Sequence, residues 1–255
     1  MDDTKYNISV VSYTNTLPFK VALENDASIK KFANLTYDNP AVCAQKLLKN
    51  EADIGLIPVG VLPLLDEYHI ISDYCIGAVG QVETVKLYSN TPVSKLKTIY
   101  LDPQSRTSVN LVQVLAAKFW DISPQFKKGD GQIKNGDLNP EEGFVLIGDR
   151  TFGLASKYNF EYDLAEEWQK MTGLPFVFAA WVANKPIDNS FVKMFNELLK
   201  SGVDMIPAIS KSYQKEMNGS VDLHHYFTHC INYPLDDDKK KAMNLFLSYM
   251  KELGL

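Results

Sequence analysis

Two short polar clusters hold most of the residues with chemical potential. The segment "DPQSRTS" sets Arg106 among Asp102, Ser105, Thr107 and Ser108, and Arg106 shares the chain with only one other arginine, Arg150. A guanidinium fork pairs with a carboxylate or phosphate. Hydroxyl residues at a helix start can cap it and still leave amide donors for an anion. The cluster therefore reads either as an anion site or as a self-capped turn whose arginine pairs with Asp102 or Asp149. In "LIGDRTF", Asp149 precedes Arg150 and suits a helix cap, an arginine-orienting group or a holder of a substrate hydroxyl. Asn15 and Thr16 follow a first apolar run. The Asn15 amide can donate and accept toward a ligand, or it can close an Asx turn. Ser12 and Thr84 offer further hydroxyls, each ordinary in a strand when taken alone.

Other chemistries find less support. "HHYFTH" places His225 and His229 four residues apart, a spacing that suits two metal ligands on one helix face. No HExxH and no CxxC accompany it, so ordinary histidines and no metal are expected. "GAVG" lacks the dinucleotide fingerprint, and GxxxxGK[ST] and GxSxG are absent, so no cofactor is expected. Cys43, Cys75 and Cys230 form an odd, scattered set, which fits reduced thiols in a cytoplasmic protein. The start, "MDDTKYNISVVSY", lacks the basic and apolar segments of a secretory signal, and no run approaches the roughly 18 apolar residues of a membrane span. A net charge of -5 without a basic stripe argues against nucleic acid as a partner. A small anionic molecule is the expected partner, and no motif specifies an oligomeric state.

The elements that must position these residues alternate between strand and helix. Ile8–Ser12 reads as a strand, "NPAVCAQKLLKNEAD" as a helix with Val42, Leu47 and Leu48 on its apolar side, and "ADIGLIPVG" as a brief strand. After Gly80, alternation sets Val82, Thr84 and Lys86 against Glu83, Val85 and Leu87. "KTIYLD" then gives a strand and "SRTSVNLVQVLAAKFW" a helix with Leu111, Leu115 and Phe119 in register. "KKGDGQIKNGDLNPEEG" reads as loops around a minor element, "FVLIGD" as a short apolar strand, and "TGLPFVFAAWVAN" as a buried strand or crossover. Helices are expected near Phe191–Leu199 and Asp238–Leu253. The 255 residues suffice for two medium domains. This order predicts an α/β protein of two lobes joined twice: residues 1–88 plus 182–255, and residues 89–181. Polar strand ends near Asn15, Gly55, Gly80, Ser105 and Asp149 would converge on the cleft between them.

Taken together, "ISVVSYTNTLPF", "EADIGLIPVG", "GAVGQVETVKLYS", "LDPQSRTSVNLVQVL", "IGDRTF" and "TGLPFVFAAWVA" resemble, in this order and over nearly the full chain, the chorismate dehydratase family of the futalosine route to menaquinone. "NTLPF" and "DPQSRTS" make the resemblance specific. It implies a type II periplasmic-binding-protein-like fold with a central cleft, working in the cytoplasm. It also implies a lyase that dehydrates chorismate, a dicarboxylate, to 3-[(1-carboxyvinyl)oxy]benzoate. By the same resemblance, Asn15 and Thr84 contact the reacting substrate, the turn Ser105–Ser108 receives a carboxylate and Asp149 lines the cleft, with Ser12 and Thr16 nearby. Thr14 and Glu83 depart from the family pattern, where leucine and arginine are frequent. A binding protein that holds a small carboxylate without reaction is the rival expectation.

Overall fold

The computed structural model describes residues 5–130, 138–154 and 157–255. Its strands follow the chain as β1 (Tyr6–Val11), β2 (Ala33–Asp38), β3 (Ile54–Pro58), β4 (His69–Ala78), β5 (Val85–Ser89), β6 (Thr98–Leu101), β7 (Gln125–Lys128), β8 (Glu142–Ile147), β9 (Phe160–Asp163), β10 (Phe176–Ala183) and β11 (Asn232–Pro234). The helices are α1 (Leu17–Asn25), α2 (Ile29–Phe32), α3 (Pro40–Leu48), α4 (Thr107–Lys118), α5 (Leu164–Thr172), α6 (Asn189–Asp204), α7 (Ile206–Tyr213), α8 (Leu223–His225) and α9 (Asp237–Leu253).

Two sheets result. The first runs in the order β11-β4-β10-β3-β1-β2, the second β7-β6-β8-β5-β9. In the first, β1 is parallel to β2 and β3, while β10 lies antiparallel between β3 and β4. Every residue of β3 and β10 is buried, so their apolar runs show no alternation: both faces are covered. In the second sheet, β6 is parallel to β7 and β8, and β5 lies antiparallel between β8 and β9. One face of this sheet joins the main core through Val85, Leu87, Val145 and Ile147; the other packs Tyr88, Phe144 and Leu146 with Leu138, Leu154 and Tyr158.

The chain crosses between the sheets at residues 79–84 and again at 173–175. Boundaries at 88 and 182 would cut through β5 and β10, each of which lies whole within one sheet. The apolar run around Phe176 is long enough to read as a crossing, but the turn "TGLP" before it makes the crossing. Gly173 there caps α5 with φ +74°, the left-handed geometry glycine adopts freely.

Three details differ from the sequence expectation. In α3 the buried side is Cys43, Ala44 and Leu47, while Leu48 is exposed because it falls at the last turn. Phe119 ends α4 outside the core. The strand alternation after Gly80 is broken, since Glu83 takes a left-handed φ of +63° and β5 begins only at Val85. Of the 127–143 segment, Lys127 and Lys128 end β7, which pairs beside β6, while residues 131–137 lie outside the described residues.

The first helix is set down by a close approach. In α6, Gly202 packs against the start of α1 so tightly that a Cβ there would sit 2.2 Å from the Pro18 carbonyl oxygen. Since Pro18 follows Asn15 by three residues, this contact also places the asparagine. Gly202→Ala is expected to cost about 1–3 kcal/mol of stability, the usual range for overpacking. Urea denaturation measures it, and an unchanged midpoint would show that the contact yields freely.

Candidate functional site

Between the sheets lies a cleft enclosing about 540 Å³ of empty space, including its mouth. Its walls combine apolar groups, among them Val11, Ile76, Val82, Ile147 and Phe178, with a few polar ones: Tyr13, Asn15, Thr84 and the turn Ser105–Ser108.

Asn15 sits in a 3-10 turn, Thr14–Thr16, directly after β1. Its backbone carbonyl accepts from the buried Tyr233 hydroxyl at 3.0 Å, which anchors the turn. Its side-chain Oδ1 is buried without a hydrogen-bond partner among the described residues. The amide therefore does not close an Asx turn, and an unsatisfied buried acceptor costs about 1–3 kcal/mol unless a ligand serves it. Thr16 is different. Its hydroxyl donates to the carbonyls of Val11 and Tyr13 at 2.6 and 2.7 Å, so it shapes the turn from inside and does not line the cleft. Ser12 also stays off the cleft wall, its hydroxyl donating to the Asp38 carbonyl.

Thr84 lies on the first crossing, fully buried. Its hydroxyl shares a 2.8 Å hydrogen bond with the Tyr226 hydroxyl, and its backbone carbonyl accepts from the Gly148 amide. Burial holds the Tyr226 phenol well above its ordinary pKa, so it keeps its proton. Just upstream, the Asp163 carboxylate accepts the Val82 and Glu83 amides with one oxygen, at 3.0 and 2.7 Å. Its other oxygen caps α5 through Ala165 and Glu166. One carboxylate thus ties the crossing to a helix.

The "SRTS" turn starts α4. Ser105 Oγ accepts from the Ser108 amide at 3.0 Å, which is the expected cap. Thr107 is a bridge: its hydroxyl accepts from the Gly60 amide at 3.1 Å and donates to the Phe178 carbonyl at 2.8 Å, so both its roles face the first lobe. Arg106 is exposed at the cleft wall and forms no ion pair with another described residue. Neither of the two pairings open to it in sequence forms. Asp102 takes Arg150 instead, at 2.5 Å, along with the amides of Gln104 and Ile147. Asp149 reaches across to the first lobe and accepts the Thr14 amide at 3.1 and 3.2 Å. Partial desolvation raises its pKa against the pull of those Thr14 bonds, although the residue keeps exposed surface. It acts as a latch between the lobes, off the cleft wall, and does not orient Arg150.

Tyr13, Gly148 and Tyr226 escaped the sequence reading. Gly148 has φ +67°, and a Cβ there would meet the Tyr13 ring at 2.9 Å, so the ring lies flat on the glycine across the cleft. The Tyr13 hydroxyl donates to Gln104 Oε1, and burial raises its pKa to about 12. A glycine just before Asp149 and a tyrosine two before Asn15 were visible signals. Tyr226 was hidden among histidines that drew attention to metals.

Asp163 yields a pH test. Burial pushes its carboxyl from the ordinary 3.8 up to about 6, outweighing its amide donors. The folded chain therefore takes up this proton before the unfolded chain does. The group's contribution to stability is fully present in acid and is lost as pH rises through about 6. Between pH 5 and 7 the wild type should lose about 1 kcal/mol that Asp163→Asn does not. Paired urea titrations at the two pH values measure this, and a difference of the opposite sign would refute the assignment.

Comparison with known proteins adds the family. Residues 6–252 match the menaquinone biosynthesis family. Curated chorismate dehydratases are similar: that of Campylobacter jejuni is 27% identical, covering 96% of this chain and 97% of its own, and that of Thermus thermophilus is 22% identical, covering 81% and 83%. Among solved structures, a protein of Archaeoglobus fulgidus aligns with a TM-score of 0.75 at 15% identity, covering 100% of this chain and 99% of its own. The periplasmic aliphatic sulphonate binding protein of Escherichia coli aligns at 0.66 and 10%, covering 98% and 87%. The architecture is the two-lobed periplasmic-binding-protein-like fold.

Proposed function

The chain belongs to the menaquinone biosynthesis family, and from that premise we propose that it is a chorismate dehydratase, a hydro-lyase that forms 3-[(1-carboxyvinyl)oxy]benzoate and water. The observation that carries this reading is the buried Asn15 Oδ1, unpartnered among the described residues, set in the cleft with Thr84 and an Arg106 that forms no ion pair with another described residue. Such a site has one cation, several hydroxyls and an apolar wall, which suits a small ring bearing carboxylates.

In this reading a substrate carboxylate sits at the "SRTS" turn, held by Arg106, the Ser105 and Ser108 hydroxyls and the amides at the start of α4. Asp149 and Thr107 act indirectly, by keeping the lobes closed over it. Dehydration removes the hydrogen on the ether-bearing carbon and the hydroxyl on its neighbour, and the ring becomes aromatic. Aromatisation supplies the driving force, so the protein's task is alignment and polarisation. Thr84 turns its proton from Val82, 3.4 Å away, to the leaving hydroxyl, while Tyr226 donates to Thr84 from behind. Asn15 fixes the enolpyruvyl group so that its carboxylate takes the carbon-bound proton. That proton and the departing hydroxyl together make the water, so the protein ends unchanged. The apolar wall keeps bulk water out, which strengthens both polar contacts. We place the reaction in the cytoplasm, as suits a biosynthetic family; among the described residues no helix is long and apolar enough to cross a membrane.

Incubation with chorismate followed by product mass tests the reading: loss of one water is expected, and tightly held but unchanged chorismate would favour the binding-protein alternative. Asn15→Ala and Thr84→Ala should each lower turnover about a hundredfold, the lower range for a positioned polar group. Arg106→Ala should mainly raise KM, by roughly tenfold or more, through loss of a charge-assisted contact. Turnover within twofold of wild type in both Asn15→Ala and Thr84→Ala would remove their assigned roles.

A further inference from the structure

We propose that Glu83, His225 and Cys230 form a binding site for a divalent cation of the zinc class, set behind the cleft on the first crossing. Their ligand atoms, one carboxylate oxygen, one ring nitrogen and one sulfur, all lie within 4.8 Å of one another. In a tetrahedral site with the usual bond lengths, such ligand atoms stand about 3.5 Å apart. The contraction needed is therefore about 1 Å, and the Glu83 and His225 side chains are 43% and 52% exposed, free enough to supply it.

Two unusual backbone features bring these groups together. Glu83 is a non-glycine residue at φ +63°, held there by its amide bond to Asp163. The left-handed turn lets Val82 and Thr84 both line the cleft while the Glu83 carboxylate faces His225, 4.0 Å from its Nε2. The second feature is a single π turn, Tyr226–Cys230, closed by the Ile231 amide on the Tyr226 carbonyl at 3.0 Å. Widening the helix by one residue per turn stacks positions five apart, and this brings Cys230 under His225. Single π turns are rare and concentrate at functional sites. His229, stacked on His225 at 4.7 Å, is turned to Thr228 by its Nδ1 and braces the ring.

Sulfur, imidazole and one carboxylate form a donor set that suits zinc and disfavours magnesium or calcium. Three protein ligands leave the fourth position to water. Coordination replaces the Cys230 thiol proton, which passes to solvent, with the cation. The consequence is local: residue 83 precedes Thr84, and Tyr226, the hydrogen-bond partner of Thr84, lies between the other two ligands in sequence. A bound cation would fix the crossing to the π turn and hold the Thr84–Tyr226 pair in place. Binding itself does not depend on which reaction the cleft performs.

The test uses the full chain. Titration with Co2+ as a spectroscopic probe should give one site per chain with a thiolate-to-cobalt charge-transfer band, and excess Zn2+ should abolish that band. His225→Ala and Glu83→Gln, both at exposed side chains, should weaken Zn2+ binding at least about tenfold, the loss that even an outer partner of a ligand can cause. Cys230→Ser should remove the band, while His224→Ala should leave it unchanged. Hydrogen exchange at the Glu83 and Thr84 amides should slow with Zn2+ in the wild type but not in His225→Ala. A band that persists in Cys230→Ser, or Zn2+ affinity equal in wild type and His225→Ala, would overturn the proposal.

Discussion

One buried carboxylate governs the geometry of the whole cleft. Asp163 spends one oxygen on the amides of the first crossing and the other on the start of α5, the helix that leads to the second crossing. Both connections between the lobes are therefore referred to a single side chain that is itself almost wholly removed from water. The strained backbone of Glu83 persists because Asp163 satisfies its amide, and such outliers survive only where their surroundings over-determine them. Thr84 inherits its position from that restraint. A hinge that is held this firmly places a hydroxyl accurately, and for the proposed aromatising dehydration accurate placement matters more than acid strength.

Around this point the polar groups divide into those that hold the lobes and those left free. Asp149, Thr107 and Thr16 each spend their hydrogen-bonding capacity on the protein: across to Thr14, across to Gly60 and Phe178, and within the first turn. Asp102 is likewise committed to Arg150 and two amides. Subtracting these from the polar residues at the strand ends leaves Asn15, Arg106 and Ser108, with Ser105 using its oxygen to cap α4 and keeping its proton to donate. The residue closest to a free charge is the arginine that could have been neutralised by two neighbouring aspartates and is neutralised by neither. Each of those aspartates has a stronger claim elsewhere, in one case the half-buried Arg150 guanidinium and in the other a latch across the cleft.

The fold was legible wherever burial is two-sided or a helix has a clear face. β3 and β10 are apolar throughout, legible as a brief strand and as a buried strand or crossover; α4 is legible by spacing and its candidate caps, and α9 as a helix near Asp238–Leu253. Legibility failed where the chain changes lobe. Alternation through Val82 to Leu87 suggested one continuous strand, and only a left-handed residue held by a carboxylate eighty positions away interrupts it. No local pattern carries that information. At the site, the sequence signals found the turns but not the division of labour within them, because whether a hydroxyl faces substrate or the opposite lobe depends on closure. Thr16 and Thr107 look as suited to a ligand as Ser105 does until their partners are seen.

The left-handed turn also resolves the most awkward feature of the sequence. An acidic residue beside Thr84, a departure from the pattern of the family it resembles, would repel the proposed dicarboxylate if the crossing were a regular strand with a slipped register. A one-residue change of direction flips a side chain to the other face, and here it removes Glu83 from the cleft wall altogether. Its charge lies toward His225 and Cys230, on the far side of the crossing. The cleft thus keeps Arg106 as its cationic wall residue. Thr14, the second departure, is neutral for a similar reason: the latch to Asp149 uses its backbone amide, which any residue except proline supplies. Both departures fall where the backbone, not the side chain, faces the cleft, and the proposed dicarboxylate site tolerates them for that reason.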